Sequence, residues 1–375
     1  MKQGWTVHNL GSLCRIKTGK KDVNQGNPDG KYPFFTCAAS HTFSDTYSFD
    51  AEALLIAGNG DVGQVSYYKG KFEAYQRAYV LSDFTDVLPR FLYLILDGKL
   101  KDTVSKQKLG NTMPYIKMGM LTDFSVPVPP LLEQQRIVGI LDEAFDGLAT
   151  VKANAEKNLQ NARALFESHL QTVFSQRGGG WKQKTLEEIA TTFGRGKSRH
   201  RPRNAKHLYG GKYPFIQTGD IRNADHLITE YSQTYSEAGL AQSKLWPKGT
   251  ICITIAANIA ETGILDFDAC FPDSVIGMVT NPDEADLGFV EYLLQSFKVR
   301  LQAKGKGSAQ ANINMGTFEN ERFPFPSLAE QKRIVAQLDS LADETQRLES
   351  IYQQKLTALE ALKKSLLDQA FRGEL

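Results

Sequence analysis

The chain has 375 residues, 41% of them apolar and 23% charged, with 44 Lys+Arg against 42 Asp+Glu for a net charge of +2. That length suits two domains with ordinary buried cores, and so balanced a charge does not by itself argue for a polyanionic partner. Residues 1–6 lack a signal-like apolar segment, no apolar run approaches the ~18 residues needed to cross a bilayer, and Cys14, Cys37, Cys252 and Cys270 show no C-x-x-C spacing. A cytoplasmic protein with reduced, packed cysteines is expected, and neither a disulfide scaffold nor a zinc site is indicated.

In chain order, Gly4-Trp5 and Leu10 open the first half. Runs such as Ala53-Leu54-Leu55-Ile56-Ala57, Gln64-Val65-Ser66-Tyr67-Tyr68 and Ala78-Tyr79-Val80-Leu81 follow, broken by Gly, Asn and Asp, and predict strands with tight turns. Helical spacing of aromatic and leucine residues predicts a helix from Leu88 to Gly98. Pro127, Pro129 and Pro130 then hold the chain extended up to a long amphipathic segment. The second half reopens on Gly180-Trp181 with Leu186, an offset of 181 − 5 = 176. It offers strands at Thr250-Ile251-Cys252-Ile253-Thr254-Ile255 and Val275-Ile276-Gly277-Met278-Val279, and a helix from Leu287 to Ala303. After Pro324 and Pro326, Ser327 and Glu330 form an S-x-x-E capping box; the first half has Pro130 at the matching place and relies on proline at the first turn.

The helix starts are a repeat. Glu133-Gln134-Gln135-Arg136-Ile137-Val138 returns as Glu330-Gln331-Lys332-Arg333-Ile334-Val335, an offset of 333 − 136 = 197, and the match continues to Phe174 against Phe371. The second half therefore carries 197 − 176 = 21 extra residues between its Trp and its helix. In the first long segment Ile137, Leu141, Ala144, Leu148, Val151 and Ala155 recur at steps of four and three; Ile334, Leu338, Leu341, Thr345, Leu348 and Tyr352 do so in the second, with Lys355 interrupting. A helix of ~45 residues, ~65 to 70 Å long, needs a partner for such a stripe, and the other copy is the nearest candidate. The expected fold is α+β: two globular mixed α/β domains separated by an antiparallel two-helix coiled coil, with a pseudo-twofold internal repeat and residue 375 near residue 1. The segments are 1–130, 131–177, 178–326 and 327–375. One compact helical domain with two unrelated caps is the alternative.

Catalytic constellations are thin. Gly58-Asn59-Gly60-Asp61-Val62-Gly63 fits G-x-G-x-x-G, with Asp83 twenty residues on, but a strand rather than a helix follows, which favours a hairpin turn. Asp86, Asp97 and Lys99 faintly resemble a Mg-dependent nuclease site, with no counterpart in the second half. The one Pro-Pro, Val128-Pro129-Pro130-Leu131, does not fit the tetrapeptide of an amine-directed DNA methyltransferase. No catalytic residue and no metal ligand is assigned. The cations do cluster: Arg195, Lys197, Arg199, Arg201, Arg203 and Lys206 come without an acidic residue between them. Such a run repels itself unless a polyanion neutralises it, which points to nucleic acid over a solvated surface stretch. Lys17, Lys20 and Lys21, with Arg15, hold the matching place in the first half, and smaller sets precede each helix, with Lys106 and Lys108 in the first and Lys304 and Lys306 in the second.

The duplicated Glu-Gln-x-Arg-Ile-Val motif after an extended Pro-rich approach, with the closing Phe371-Arg372-Gly373-Glu374-Leu375, resembles the specificity subunit of type I restriction-modification enzymes over essentially the whole chain. The resemblance implies a non-catalytic reader of a bipartite asymmetric target in double-stranded DNA, one half-site per recognition domain. It also implies docking of two methyltransferase subunits, and through them of restriction/motor subunits, along Ile137, Leu141, Leu148, Val151, Ile334, Leu338, Leu341 and Leu348. No cofactor is expected on this chain; S-adenosylmethionine, ATP and Mg are expected on the partners. A self-contained Mg-dependent nuclease and a coiled-coil scaffold that binds no DNA are the rival readings.

Overall fold

The computed structural model describes residues 4–106, 109–110, 114–176, 180–224, 226–256, 259–306, 313, 315–319 and 321–375, without the side chains of 304–306 and 319. The chain divides into two compact units, Met1–Lys157 with Tyr352–Leu375, and Asn158–Ile351. The expected boundaries at 130, 177 and 326 fall at the ends of the long helices, whereas the compact units divide within them.

Unit 1 contains β1 (Thr6–Asn9), α1 (Leu10–Leu13), β2 (Arg15–Thr18), β3 (Tyr32–Phe35), β4 (Thr42–Ser44), β5 (Phe49–Ala57), β6 (Val65–Ala74) and β7 (Ala78–Ser82). There follow α2 (Pro89–Ser105), α3 (Met118–Thr122), β8 (Ser125–Val128) and the first part of α4 (Leu131–Ser175). Six strands form one sheet in the order β2-β7-β5-β6-β3-β4, and β1 pairs with β8 beside it. The β5–β6 pair is an antiparallel hairpin, and Gly58–Gly63 is its turn: the Gly63 amide donates to the Ala57 carbonyl at 2.9 Å. Thus the glycine pattern serves a turn. Helix α2 runs on to Ser105, beyond the expected Gly98, because Leu100 and Val104 continue its buried face.

Unit 2 contains the rest of α4, then β9 (Lys182–Lys184), β10 (Ala190–Arg195), β11 (Tyr209–Phe215), α5 (Thr218–Asn223), β12 (Leu227–Ile228), β13 (Gln233–Tyr235), α6 (Glu237–Ala241) and β14 (Leu245–Trp246). Its second part is β15 (Ile251–Thr254), β16 (Thr262–Leu265), β17 (Ala269–Cys270), β18 (Val275–Thr280), α7 (Leu287–Lys306), α8 (Met315–Glu319), β19 (Phe323–Phe325) and the start of α9 (Leu328–Arg372). Two sheets form, in the orders β10-β18-β15-β16-β12 and β13-β11-β17-β14, and β9 pairs with β19.

The strand registers make the repeat explicit. Leu54 faces Leu81 in unit 1 and Ile251 faces Met278 in unit 2, an offset of 251 − 54 = 197 on both strands. On the neighbouring strand, Thr18 faces Tyr79 and Arg195 faces Ile276, so that β2 and β10 are offset by 195 − 18 = 177. The surplus of unit 2 is therefore inserted after β10 and before β15. The β5–β6 turn is shared as well: Ala260, the equivalent of Gly63, keeps the left-handed backbone, with φ of 61° against 84°.

Each long helix is fastened to its own unit by the glutamine of the repeated motif. Gln134 is fully buried; it accepts from the Leu88 amide at 2.7 Å and donates to the carbonyls of Pro129 and Asp86 at 2.9 and 3.0 Å. Gln331 accepts from the Asp286 amide at 2.8 Å and donates to the carbonyls of Pro326 and Glu284 at 3.1 and 3.4 Å. A short side chain thus ties the Pro-rich approach to the start of α2 or α7 and satisfies backbone groups that burial would otherwise strand. Asp142 and Asp339, also 197 apart, reinforce the same packing, the first pairing with Arg90 at 2.6 Å and the second accepting from Tyr292 at 2.8 Å. At the helix starts, the Glu330 amide donates to Ser327 Oγ at 3.4 Å, while Pro130 stands one place before α4 and its carbonyl accepts from Glu133 and Gln134.

The two long helices run antiparallel inside each unit. In unit 1, Arg136 reaches the Leu375 carbonyl at 2.6 Å and Lys152 pairs with Glu360 at 3.3 Å; in unit 2, Arg163 pairs with Glu349 at 3.0 Å. Ile137 and Leu141 lie fully buried with Leu367, Ala370 and Phe371 in the core of unit 1, on which Trp5 and Leu375 also pack. Ile334 and Leu338 are buried with Leu170 and Phe174 in the core of unit 2. These four seam residues are interior to their own units, each worth roughly 1.5–3 kcal/mol of burial, and do not form docking surface. Leu148, Leu341 and Leu348 stay half-buried and Val151 is exposed.

Candidate nucleic-acid interface

The strand β2 is followed by Gly19-Lys20 and β10 by Gly196-Lys197, at the shared offset of 177. Both glycines are pressed on a neighbouring strand exit: a Cβ would lie 2.0 Å from the Ala74 carbonyl oxygen in one and 2.3 Å from that of Phe271 in the other. Only glycine fits such an approach. The lysine that follows is therefore presented at the same corner of each sheet, and both Lys20 and Lys197 are exposed.

Around Lys20, Lys17 projects exposed from β2, whereas Lys21 turns inward. Its ammonium donates to Ser44 Oγ at 2.9 Å and Thr46 Oγ1 at 2.6 Å and lies 3.5 Å from Glu73, whose side chain is 0% exposed. Lys21 was expected to contact DNA; it is instead the counter-ion of a buried carboxylate, because an unpaired carboxylate there would be very costly. Lys106 is exposed at the end of α2. Lys108 lies outside the described residues, as do the side chains of Lys304 and Lys306.

In unit 2 the basic run wraps the same corner. Lys197, Arg199 and Lys206 are exposed, Arg201 donates to the carbonyls of Ser198 and His200 at 2.7 and 2.8 Å, and Arg195 donates to that of Asp273 at 2.7 Å. Arg203 is held by the Asp273 carboxylate at 2.8 and 2.9 Å. An acidic residue seventy positions away thus dilutes a run that has none within it, leaving the other five cations exposed and without a carboxylate partner among the described residues.

A second repeat lies beside these lysines. Gly30-Lys31-Tyr32-Pro33-Phe34 recurs unchanged as Gly211-Lys212-Tyr213-Pro214-Phe215, an offset of 211 − 30 = 181, intermediate between the two that were evident from the chain. Tyr32 faces Ser44 across β3–β4 and Tyr213 faces Tyr235 across β11–β13. Ser44 is the residue that Lys21 touches; burial raises the Tyr235 phenol, and Ser198, the equivalent of Lys21, lies against it. Both stretches of each unit meet at one corner.

The nuclease candidates do not assemble. At least eight helical residues separate Asp86 from Asp97, or ~12 Å of rise; Asp97 pairs with Lys363 at 3.5 Å, and Lys99 rests 5.3 Å from the Phe371 ring, its ammonium lowered by burial. Among the described residues no three His, Cys, Asp or Glu side chains gather to hold a metal, and no helix is long and apolar enough to cross a membrane.

Residues 2–160 and 178–358 each match the family described as the type I restriction modification DNA specificity domain. The chain is similar to the EcoDI specificity subunit of Escherichia coli, 29% identical over 99% of this chain and 88% of that one, and to the MjaVIII specificity subunit of Methanocaldococcus jannaschii, 23% identical over 100% and 93%. Its fold is similar to that of a chain in a structure of the assembly and conformational transition of a type I R-M system, at a TM-score of 0.81 and 19% identity over 100% of this chain and 99% of that one. It is also similar to that of the HsdS subunit from Thermoanaerobacter tengcongensis, at 0.60 and 20% over 100% and 98%. With two matched domains that together span most of its length, the chain belongs to the type I restriction-modification specificity subunits, the non-catalytic, DNA-recognising components of those complexes.

Proposed function

We propose that the chain reads an asymmetric bipartite target in double-stranded DNA, one half-site with the corner at Lys20 and the other with the corner at Lys197. The observation that carries this reading is the division of each unit into a matched frame and an unmatched middle. Equal registers offset by 197 on β5/β15 and β7/β18 give two readers of one build, and the stretches between β2 and β5 or between β10 and β15 differ in length and side chains. Phosphate contacts from Lys17, Lys20, Lys106, Lys197, Arg199 and Lys206 would set register, and base-edge contacts from the unmatched loops would set sequence.

The long helices serve as an antiparallel coiled coil that relates the readers by a pseudo-twofold axis and fixes the unread gap. Supporting this, the residue numbers paired in unit 1 sum to 136 + 375 = 511 and 152 + 360 = 512, and those in unit 2 to 163 + 349 = 512, as a single antiparallel register would require. Two methyltransferase subunits dock along the helix surface, where Val151 and the equivalent Leu165 and Leu362 are exposed. They carry S-adenosylmethionine, and restriction/motor subunits with ATP and Mg join through them in the cytoplasm. Linking the readers makes the second engagement intramolecular, so weak half-sites sum to a useful affinity. Footprinting of the chain with its methyltransferase subunits is expected to show two protected sequence blocks around an unread gap; one contiguous block, or protection without sequence preference, overturns the proposal.

A further inference from the structure

The two copies of Gly-Lys-Tyr-Pro-Phe sit in the part of the units where little else matches, and packing accounts for most of each. A Cβ on Gly30 would lie 2.5 Å from the Ser44 backbone, and one on Gly211 would lie 2.4 Å from the Tyr235 carbonyl oxygen. Phe34 and Phe215 are buried. Tyr32 packs on Tyr47 with ring centres 4.9 Å apart, and the Tyr213 hydroxyl donates to Glu237 at 2.9 Å. Pro33 and Pro214 face Phe43 and Thr234 in the paired strands.

The lysine is held less: Lys31 makes no ion pair among the described residues, and Lys212 pairs with the exposed Glu237. Lys31 and Lys212 are exposed, and each holds its ammonium over the ring of the tyrosine that follows, at 5.5 and 5.1 Å. Protection of a sheet edge does not explain them, because β3 lies between β6 and β4, and β11 between β17 and β13. Their surroundings are basic and aromatic. In unit 1, Lys71 stands 4.7 Å from the ring of Tyr47, and Ser44, the strand partner of Tyr32, is bonded by Lys21, the residue after the exposed Lys20. In unit 2, Lys197 stands next to Ser198, which lies against Tyr235, the strand partner of Tyr213.

Two readers of different half-sites cannot use an identical side chain to tell them apart, whereas the phosphodiester backbone is the same in both. We propose that Lys31 and Lys212 are equivalent phosphate anchors, one per unit, which seat each reader at the same distance from its half-site whatever the base sequence. The inference rests on the bipartite reading above. Holding the ammonium over a tyrosine ring restricts a flexible side chain before DNA arrives, which lowers the ordering cost of the contact. Lys212 also lies 3.2 Å from Glu237, with both side chains about three-quarters exposed, so its share is the smaller.

The test uses the full chain assembled with its methyltransferase subunits, a duplex selected by the wild-type complex from a random library, and a scrambled duplex. Lys31→Gln is expected to lower the slope of log affinity against log salt by about 0.9, so that binding at low salt falls roughly threefold more than at fourfold higher salt. It should weaken both duplexes by the same factor, with the selected half-sites unchanged and Lys31→Arg close to wild type. Lys212→Gln should act in the same direction and less. A wild-type complex that cannot distinguish the duplexes sinks the bipartite reading itself. If it does distinguish them, an unchanged salt slope in Lys31→Gln, or a changed preference at one half-site, overturns the anchor alone.

Discussion

Lys21 and Glu73 in unit 1 occupy the places that Ser198 and Cys270 hold in unit 2. Glu73 faces Phe34 across β3–β6 and Cys270 faces Phe215 across β11–β17, so the positions are set by strand register and not by a choice of alignment. In unit 1 a fully buried carboxylate accepts from Ser48 Oγ at 2.9 Å and from the Ala74 amide at 3.1 Å, with Lys21 completing it. In unit 2 the equivalent pair is neutral, with a buried thiol raised by burial and a buried serine. Both members changed together. The lesson is that complementarity of the pair is what its buried position requires, and that the charge of Lys21 is a packing choice rather than a mark of DNA contact.

The largest expected effect breaks that pairing. Lys21→Ser alone leaves Glu73 buried beside two neutral donors and should destabilise unit 1 by about 2–3 kcal/mol, somewhat below a fully buried pair because Lys21 keeps some solvent contact. Adding Glu73→Cys reproduces the corner of unit 2 and should recover at least half of the loss, a coupling of about 1–2 kcal/mol. Chemical denaturation of the four proteins of the cycle, with hydrogen exchange of β3 and β6 amides, measures it. Additive losses would mean that the two corners are not interchangeable.

Where the units agree, matching mutations should cost alike. Gln134→Ala strands the Leu88 amide and Gln331→Ala the Asp286 amide, each at about 1–3 kcal/mol, read by hydrogen exchange at the start of α2 or α7. A loss confined to one unit would show that the clamp is not a shared device. Gln134→Glu adds a pH handle. Its protonated carboxyl can donate to one of the carbonyls of Asp86 or Pro129, whereas the carboxylate would face both, so its folded-state pKa lies above the unfolded one. The stability it retains should be fully present below the ordinary carboxylate range and be lost as pH rises through the raised pKa.

The frame was legible in the chain because it is local. Proline approaches, the cap at Ser327 and the strand–turn–strand around Gly58 each report on neighbours in sequence, and a shared offset of 197 gave both helices the 45 residues they have. The site was less legible because its partners are remote. Nothing near Lys21 announces Glu73, fifty-two residues on, and nothing near Arg203 announces Asp273. The repeat marks Gln134 and Gln331 without saying what they do, and each is the most buried polar group of its motif. The repeated pentapeptide at 30 and 211 was visible as text, yet its offset of 181 matches neither 176 nor 197, so a search along those two offsets passes over it.

The smallest expected effect tests how far the basic run of unit 2 differs from its surroundings. Six cations contribute equally to a count along the chain, but Arg203 makes two charge-assisted bonds to Asp273, whereas Arg199 makes no ion pair among the described residues. A phosphate approaching Arg203 must compete with a carboxylate already in place. Arg199→Ala should therefore reduce the salt slope of DNA binding by about 0.9, and Arg203→Ala by clearly less. Arg203→Ala also frees Asp273, which then repels the backbone at the corner where Lys197 stands, so affinity can fall while the slope barely moves. Titrating both variants at several salt concentrations separates the two quantities. Equal slopes would mean that Asp273 releases Arg203 on binding and that the whole run, as counted along the chain, meets the DNA.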